Sequence, residues 1–331
     1  MYKSTTSIRK KPKNLCVDNE DLFSSEYKKS IKEPGYVLKK NIYVQNLQLR
    51  KYVWLKYYSK YWRINQYSFI ENVKNLTFGI SNYFLNKNIK YLHIENASWI
   101  LNHRSNQYFH WMTDALQRLE VIKHKSELYP IIIFDYLLDF EFIWSTLDKL
   151  QVNYIVLSKD KFYKIDNLLI AEPVADSGNF HPEILNTIRK NLRLKSINSK
   201  VEKKIWISRQ SASKRKIVNF DEIKKILINN SFEIIEFENL KFLDQIKILS
   251  NCVVLGGLHG AGLLNMLFIK NQSKIIEIRG KEDRVNNCFF SMSSDLNHDY
   301  YYFLADNDNQ NYYSGNYYIN PSKFDNFLKS F

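Results

Sequence analysis

The chain has 331 residues, 45% of them hydrophobic, so it is long enough for two domains that each have a core. Its formal net charge of +14 suits phosphate-bearing ligands, an anionic membrane surface or nucleic acid, and charge alone does not choose among them. Three widely spaced cysteines suggest neither a disulfide framework nor a metal site, and they fit a reducing compartment.

The N-terminus is polar and basic and lacks the apolar run of a secretory signal. The sequence contains no run of about 18 apolar residues, so no transmembrane helix is predicted. We therefore expect a cytoplasmic protein, with any membrane association peripheral and at the inner face. Residues 1–40 contain Pro12 and Pro34 among many Lys, Ser and Asn residues, and they are predicted to form a partly ordered tail or lead-in.

Residues 41–198 are predicted to form a first α/β domain. Aromatic and polar residues alternate from Ile42 to Ile70, which indicates short strands, although an aromatic and basic stretch is also compatible with a nucleic-acid platform. Two further strands are predicted at 90–94 and 97–101. From residue 130, apolar strands and helices alternate, which is typical of a parallel sheet covered on both faces.

A helix is predicted over 106–119. Phe109, Met112, Leu116 and Leu119 recur at helical spacing and form its apolar stripe. His110, Asp114 and Arg118 follow at i, i+4 and i+8 on another face. His110 and Asp114 are therefore candidates for acid–base work, and the competing interpretation is a surface ion pair between Asp114 and Arg118.

A polar, basic stretch at 191–204 is the predicted linker, and residues 199–331 are predicted to form a second α/β domain that ends in a helix at 321–331. Strands are predicted at 204–208, 232–235, 252–255 and 274–278, with helices at 220–229 and 240–249 between them. Ligands of such sheets bind at the carboxyl ends of the strands.

Four of the nine glycines fall within residues 256–262, between the apolar strand 252–255 and an apolar helix predicted to follow. Strand, glycine turn and helix start together favour an anion at the backbone, because glycine tolerates positive φ and lets a ligand approach. The positions of its glycines match neither a Walker loop nor the fingerprint of dinucleotide-binding folds. It is predicted to bind a diphosphate, with His259 as a donor to phosphate or sugar, against the alternatives of a packing turn and a core histidine.

Three charged residues flank this turn in the sequence. Arg209 follows the strand at 204–208 and suits a bidentate grip on phosphate, whereas Arg215 fits a phosphate ligand and a solvated loop charge about equally. Glu277 is a lone acid in an apolar strand, and it is expected to bind the two hydroxyls of a ribose or to form a structural salt bridge. The pair Asp306 and Asp308 lies in a polar loop and is weak evidence for a metal.

Three blocks of this sequence resemble glycosyltransferase family 61. They are Asn106–Leu119, then Ile207-Ser208-Arg209 with Lys214-Arg215-Lys216 and Asn219, and then His259-Gly260-Ala261-Gly262-Leu263-Leu264-Asn265 followed by Ile276-Glu277-Ile278. Their order and spacing agree with the family. The second block is poorer in arginine than is usual there, since Gln210 and Ser211 occupy it, which puts the role of Arg215 in doubt.

The resemblance implies a GT-B fold, in which two Rossmann-like domains face each other across a cleft and the C-terminal one holds a nucleotide sugar. It implies inverting transfer that needs neither a metal nor another cofactor. By position, Asp114 or His110 would be the base. The donor would be bound by Arg209, Arg215, His259, Gly260, Ala261, Gly262, Asn265 and Glu277.

The sequence thus predicts an inverting, metal-independent glycosyltransferase that acts on an oligosaccharide, lipid-linked or polysaccharide acceptor in surface or capsular polysaccharide synthesis. One alternative is a catalytically inactive protein of the same fold that binds a nucleotide or glycan. Another is a nucleic-acid-binding protein, but no motif supports it and nucleic acid is not an expected partner. The sugar, nucleotide and acceptor are not determined by these residues.

Overall fold

The structure, a computed structural model, describes residues 2–50, 90–194, 202–308 and 315–331. The chain divides into two compact units. The first comprises Met1–Ser4 and Lys32–Val174, and the second comprises Thr5–Ile31 and Ala175–Phe331. Each unit contains a six-stranded sheet and helices, so the prediction of an α/β fold is confirmed.

The sheet of the first unit has the strand order β4-β3-β8-β5-β6-β7. Strands β5, β6, β7 and β8 run parallel, and β3 pairs antiparallel with both β8 and β4. The strands are β3 (Tyr36–Gln45), β4 (Gln48–Arg50), β5 (Tyr91–Trp99), β6 (Ile131–Phe134), β7 (Tyr154–Leu157) and β8 (Phe162–Ala171). All four residues of β6 are buried, as its unbroken apolar run requires.

Two main helices belong to this unit. Helix α1 consists of Tyr108–His110, a π-helical turn at Trp111–Ala115 and Leu116–Ile122. Helix α2 (Glu141–Leu150) follows β6 through a short 3₁₀ turn, Asp135–Asp139. The predicted apolar stripe of α1 is confirmed at Met112, Leu116 and Leu119, which are fully or almost fully buried.

The sheet of the second unit has the order β10-β9-β11-β12-β13-β14, with all strands parallel except β14 at the edge. The strands are β9 (Lys203–Ile207), β10 (Phe232–Ile235), β11 (Cys252–Leu258), β12 (Lys274–Gly280), β13 (Asp299–Asn307) and β14 (Tyr317–Tyr318). The helices are α3 (Pro182–Leu192), α4 (Phe220–Asn229), α5 (Phe242–Leu249), α6 (Cys288–Asp295) and α7 (Pro321–Leu328). Trp206 of β9 lies fully buried in the core between α7 and the sheet, and its ring contacts Phe324.

The N-terminal segment contradicts the predicted tail. Strands β1 (Thr5–Ile8) and β2 (Lys28–Ile31) form an antiparallel pair, and the 3₁₀ turns Val17–Leu22 and Ser24–Glu26 lie between them. This segment belongs to the second unit. The side chain of Arg9 is fully buried and pairs with Asp295 at 3.2 Å and with Glu26 at 3.1 Å. Polar residues fold here because each buried charge meets a partner, which hydrophobicity does not reveal.

Several other predictions differ from the structure. The two strands expected at 90–94 and 97–101 are the single strand β5, and the chain passes from the first unit to the second after Val174, not after residue 198. Strands expected beyond Arg50, and part of the predicted linker, lie outside the described residues. No helix of the described residues is long and apolar enough to cross a membrane.

Candidate functional site

The glycine turn begins within β11, which lies between β9 and β12 in the sheet, and Gly256 and Gly257 are residues of this strand. Gly257 aligns with Ile207 on one side and with Glu277 on the other. A Cβ at Gly256 would lie 2.7 Å from the ring of Trp206, and one at Gly257 would lie 3.2 Å from Cβ of Ile207. These glycines are therefore required by close packing against β9.

The expectation that the turn uses positive φ is wrong. Among the glycines of the described residues, only Gly178 has a left-handed backbone. Gly260 is extended, with φ 166°, and a Cβ there would lie 2.8 Å from Nη1 of Arg209. The absent side chain thus makes room for a guanidinium against the turn.

Two arginines meet at this turn. Arg215 adopts a left-handed conformation, with φ 60°, and its Nη1 donates to the carbonyl of His259 at 3.0 Å. Burial and then the nearby charge of Arg215 lower the pKa of Arg209, and Glu238 opposes them weakly. Among the described residues neither arginine forms an ion pair, and the Nε of each is buried without a hydrogen bond. The turn therefore concentrates positive charge with which no acidic side chain of the described residues forms an ion pair.

The segment after the turn is a 3₁₀ helix, Ala261–Leu267, and not the α-helix that was expected. A Cβ at Gly262 would lie 3.0 Å from Cγ2 of Ile207, so this glycine also serves packing. Asn265 is 1% exposed, and its Nδ2 donates to Oε1 of Gln245 at 3.4 Å. The side chain of Asn265, predicted to bind the donor, is thus engaged inside the protein, whereas Ala261 and Gly262 present backbone at the turn.

His259 forms a hydrogen bond to a buried carboxylate. Its Nδ1 bonds to Oε1 of Glu277, and Oε2 of Glu277 accepts a hydrogen bond from the hydroxyl of Tyr300 at 2.5 Å. Burial alone would raise the pKa of Glu277, but His259, Arg279 and Tyr300 outweigh it and lower that pKa. Burial and the charge of Glu277 raise the pKa of Tyr300 well above its ordinary value, so Tyr300 remains a donor.

This geometry contradicts a direct contact between Glu277 and a ribose. The side chain of Glu277 is 0% exposed, and both of its oxygens are bonded to protein groups. Of the two interpretations of this lone acid, the structural pairing is the one observed. The ring of His259 is the part of this group that keeps some exposure, at 12% of its side chain.

In the first unit, helix α1 brings His110 and Asp114 together. Nδ1 of His110 lies 2.8 Å from Oδ2 of Asp114, and the two side chains are 12% and 20% exposed. Nδ2 of Asn102 approaches the same Oδ2 at 3.3 Å. The pair lies across the π-helical turn, and such turns are frequent at functional sites.

Arg118 does not pair with Asp114 as the competing interpretation proposed. Its Nη1 donates instead to the carbonyls of Ile100 at 3.3 Å and Leu101 at 3.5 Å. Burial lowers the pKa of Arg118, and the charge of Asp114 partly opposes this. The carboxylate of Asp114 therefore has His110 as its nearest basic partner among the described residues.

The pair of His110 and Asp114 has the groups that a general base requires. When Nδ1–H of His110 donates to the carboxylate of Asp114, the lone pair of the ring lies on Nε2, which can accept a proton. Because the carboxylate also stabilises the imidazolium that forms, the pair is suited to general base catalysis.

Sequence reasoning missed Asn102, His103 and Tyr300. Asn102 and His103 stand just before the helix motif, and His103 is close enough for His110 and Asp114 to influence its pKa, which burial chiefly lowers. This proximity in sequence was the available signal. Nothing in the tyrosine-rich stretch of β13 distinguished Tyr300.

The described residues contain no group of three or more His, Cys, Asp or Glu side chains that could hold a metal ion. The two aspartates noted in the sequence are engaged separately. Asp306 bonds to Nζ of Lys281 at 2.5 Å, and Asp308 accepts from the backbone and side-chain amides of Asn316 at 2.7 and 3.1 Å.

Comparisons with known proteins identify the family of this chain. The family model described as Glycosyltransferase 61 matches residues 108–276, just over half of the chain, from helix α1 to β12. The chain is 32% identical over 95 residues to the EGF domain-specific O-linked N-acetylglucosamine transferase of Mus musculus, and 36% identical over 78 residues to that of Drosophila melanogaster. These matches cover 27% and 23% of the chain but only 18% and 15% of the relatives. The protein therefore belongs to glycosyltransferase family 61.

Proposed function

We propose that the protein transfers a sugar from a nucleoside diphosphate donor to a hydroxyl group of a glycan acceptor, with inversion at the anomeric carbon and without a metal ion. The observation that carries this proposal is the meeting of Arg209 and Arg215 at the glycine turn, where neither forms an ion pair within the part of the chain that the structure describes. Two guanidinium groups match the two charged groups of a diphosphate, since arginine binds phosphate through paired hydrogen bonds.

The leaving diphosphate gains negative charge as the bond to the sugar breaks. Arg209, Arg215 and the backbone of Gly260–Gly262 would stabilise that charge more strongly in the transition state than in the ground state. As an imidazolium, whose Nδ1–H donates to Glu277, His259 would add a second donor from Nε2. This set of cations supports a reaction without a divalent ion, because it can supply the charge that a metal otherwise provides.

His110 is the proposed base, with Asp114 as the carboxylate that orients it. The acceptor hydroxyl loses its proton to Nε2 of His110 as its oxygen bonds to the anomeric carbon. The bond from that carbon to the diphosphate oxygen breaks at the same time. One displacement on the face opposite the leaving group inverts the configuration and needs a single base.

The finer features of the protein are part of this proposal. A GT-B fold is supported by the division into two units, each with its own parallel-stranded sheet. The names of the relatives make N-acetylglucosamine the first sugar to test. We propose a lipid-linked, oligosaccharide or polysaccharide acceptor, a role in surface or capsular polysaccharide, and a cytoplasmic location with peripheral contact to anionic membrane, which the net charge of +14 favours.

Donor binding is tested by thermal shift with UDP, GDP, CDP and ADP, each with magnesium and with EDTA. A ligand present at 100 times its Kd stabilises a protein by about 2.7 kcal/mol, which is a measurable shift. Stabilisation that is equal in EDTA supports the proposal, whereas binding that requires magnesium contradicts metal independence. If no nucleotide stabilises the protein, the donor assignment is wrong.

A variant pair makes this test specific. Arg209→Ala should weaken the best nucleotide at least tenfold, since a hydrogen bond to a charged group contributes about 1.5–3 kcal/mol. Arg284→Ala is the control, because Arg284 forms an exposed pair with Asp21 and is 61% exposed. Equal loss in both variants would mean that the effect reflects net charge and not a site.

The base is tested by turnover. His110→Ala should lower kcat by about 10²–10⁴ while the Kd for the nucleotide stays within twofold. Full turnover in both His110→Ala and Asp114→Asn would refute the base assignment. A wild-type protein that binds the nucleotide sugar but forms no product with any glycan acceptor would instead be an inactive binding protein.

A further inference from the structure

A buried network connects the proposed donor site to the N-terminal segment. It begins at His259, whose Nδ1 bonds to Glu277, and continues to Tyr300, whose hydroxyl donates to Glu277 at 2.5 Å. Glu277 lies on β12 and Tyr300 on the neighbouring β13, so two strands fix the carboxylate. Since an ionised carboxylate only accepts hydrogen bonds, Nδ1 of His259 must carry a proton, and Nε2 donates to a phosphate when the ring is an imidazolium.

Arg279, two residues after Glu277 on β12, continues the network inward. Its side chain is fully buried. Nη1 donates to Oδ1 of Asn287 at 2.8 Å, and Nη2 donates to the carbonyl of Asp283 at 2.7 Å. The charges of Arg279 and Glu277 act on each other and on Tyr300, so removal of one member leaves the others buried without compensation.

The N-terminal segment covers this network. Phe23 is 0% exposed, and its ring lies 5.4 Å from the guanidinium carbon of Arg279 and 5.9 Å from the ring of Tyr300. The carbonyl of Leu22 accepts a hydrogen bond from Nδ2 of Asn287 at 2.7 Å. Phe23, which lies far from the family's motifs in the sequence, thus covers the buried groups that position His259.

Separate contacts fasten the segment to the unit. Nδ2 of Asn14 donates to the carbonyl of Tyr302 at 2.7 Å, and the backbone amide of Tyr302 donates to Oδ1 of Asn14 at 3.2 Å. The ion pairs of Arg9 with Asp295 and Glu26 lie at the start of the same segment. Asn14 and Arg9 thus anchor the chain before Phe23, and Glu26, which follows Phe23, pairs with Arg9.

We propose that Glu277, Tyr300 and Phe23 are positioning residues for the donor: Glu277 and Tyr300 hold the imidazole of His259 with Nε2 toward the diphosphate, and Phe23 of the N-terminal segment closes the network. This inference rests on the proposed function. It replaces a ribose contact by Glu277 with an indirect role through His259. It also makes residues outside the matched range 108–276 part of the donor site.

The test compares two tyrosines of β13. Tyr300→Phe removes the hydroxyl that holds Glu277, and Tyr302→Phe removes a hydroxyl that lies 3.9 Å from Sγ of Cys16 and has no contact with Glu277. Both tyrosines are buried, at 3% and 4% exposure, so the two changes are matched in size and burial. Titration calorimetry with the tightest-binding nucleoside diphosphate gives the Kd of each variant.

Tyr300→Phe should raise the Kd about three- to tenfold, as expected for a lost hydrogen bond, and Tyr302→Phe should leave it within twofold. Adding Tyr300→Phe to His259→Ala should cause no further loss of affinity, because a positioning residue acts only through its target. A purely structural role would instead lower Tm and leave the Kd of the single variant Tyr300→Phe at the wild-type value.

The outcomes separate this inference from the proposed function. If the wild type binds no nucleoside diphosphate, both fail. If the wild type binds one and His259→Ala weakens it, but Tyr300→Phe and Glu277→Gln do not, then only the positioning role is refuted. An additive effect in the double variant would also refute it.

Phe23 is tested by Phe23→Leu, which keeps an apolar side chain and removes the ring over Arg279. The expected result is a Kd raised at least threefold, measured well below the Tm of the variant so that the folded protein is compared. Val17→Ser is the control on the same segment, since Val17 is 91% exposed. Unchanged affinity in Phe23→Leu would exclude the N-terminal segment from the donor site.

Discussion

Gly260→Ala should weaken donor binding while leaving the fold nearly intact. Gly260 is extended, with φ 166°, a conformation that alanine adopts without strain. The new Cβ would lie 2.8 Å from Nη1 and 3.3 Å from Cζ of Arg209. These atoms are the end of a flexible side chain, so the guanidinium moves away and the backbone does not.

The expected magnitude follows from the contact that moves. A hydrogen bond between a guanidinium and phosphate contributes about 1.5–3 kcal/mol, which corresponds to a roughly ten- to hundredfold rise in Kd. The free energy of unfolding should change by less than about 1 kcal/mol, because no core atom is displaced.

Gly256→Ala provides the contrast. A Cβ there would lie 2.7–2.8 Å from the ring of Trp206, which is fully buried and has no room to shift. Overpacking of this kind costs about 1–3 kcal/mol of stability.

Urea denaturation and titration calorimetry of both variants test the reasoning. Gly260→Ala should lose affinity and keep stability, and Gly256→Ala should lose stability first. If Gly260→Ala binds nucleoside diphosphate as tightly as the wild type, the role assigned to Arg209 at the turn is wrong.

Three further predictions concern other parts of the chain. Burial and the charge of Arg189 lower the pKa of His298 to about 3, below its ordinary value, so the neutral form is the folded one. Its contribution to the free energy of unfolding should be complete above about pH 6.5 and should fall by about 1.4 kcal/mol per pH unit below it. Measured by urea denaturation, the free energy of unfolding of His298→Gln should depend less on pH than that of the wild type. Arg9→Ala should cost about 3–5 kcal/mol, because it leaves Asp295 buried and unpaired, whereas Lys11→Ala in the exposed pair of the same segment should cost less than about 1 kcal/mol. Asp114→Asn should lower kcat about 10²–10⁴-fold with donor affinity unchanged, and a loss of affinity equal to the loss of turnover would contradict its role beside the base.

Much of the fold could be predicted from the sequence where the signal was an unbroken apolar run. Strands β6, β7, β10 and β11 and the helices between them fall close to their predicted positions for that reason. Helix α6 and strand β13 were missed. The sequence of β13, Asp299–Asn307, is mostly tyrosine at its centre, which gives neither a polar alternation nor an aliphatic run.

The candidate site was predictable in its members and not in their contacts. His110, Asp114 and Arg118 were placed on one helix face by their i, i+4 spacing, but only the contacts show that Asp114 pairs with His110 and not with Arg118. The roles of Glu277 and Asn265 were not predictable, because a sequence does not show which polar residue is fully buried. The same limit hid Arg9 and Phe23, whose partners are more than 250 residues away in the chain.

By itself, the sequence determined that the chain is an α/β protein with two such units, that one helix carries a histidine and an aspartate together, and that glycines crowd one strand end. These conclusions need only local spacing and composition. The tertiary structure decided what those glycines do, since only the register of β9, β11 and β12 places Trp206, Ile207 and Arg209 against them. It also decided that Glu277 supports His259 from within, because burial and pairing depend on strands and an N-terminal segment that meet only in the folded chain.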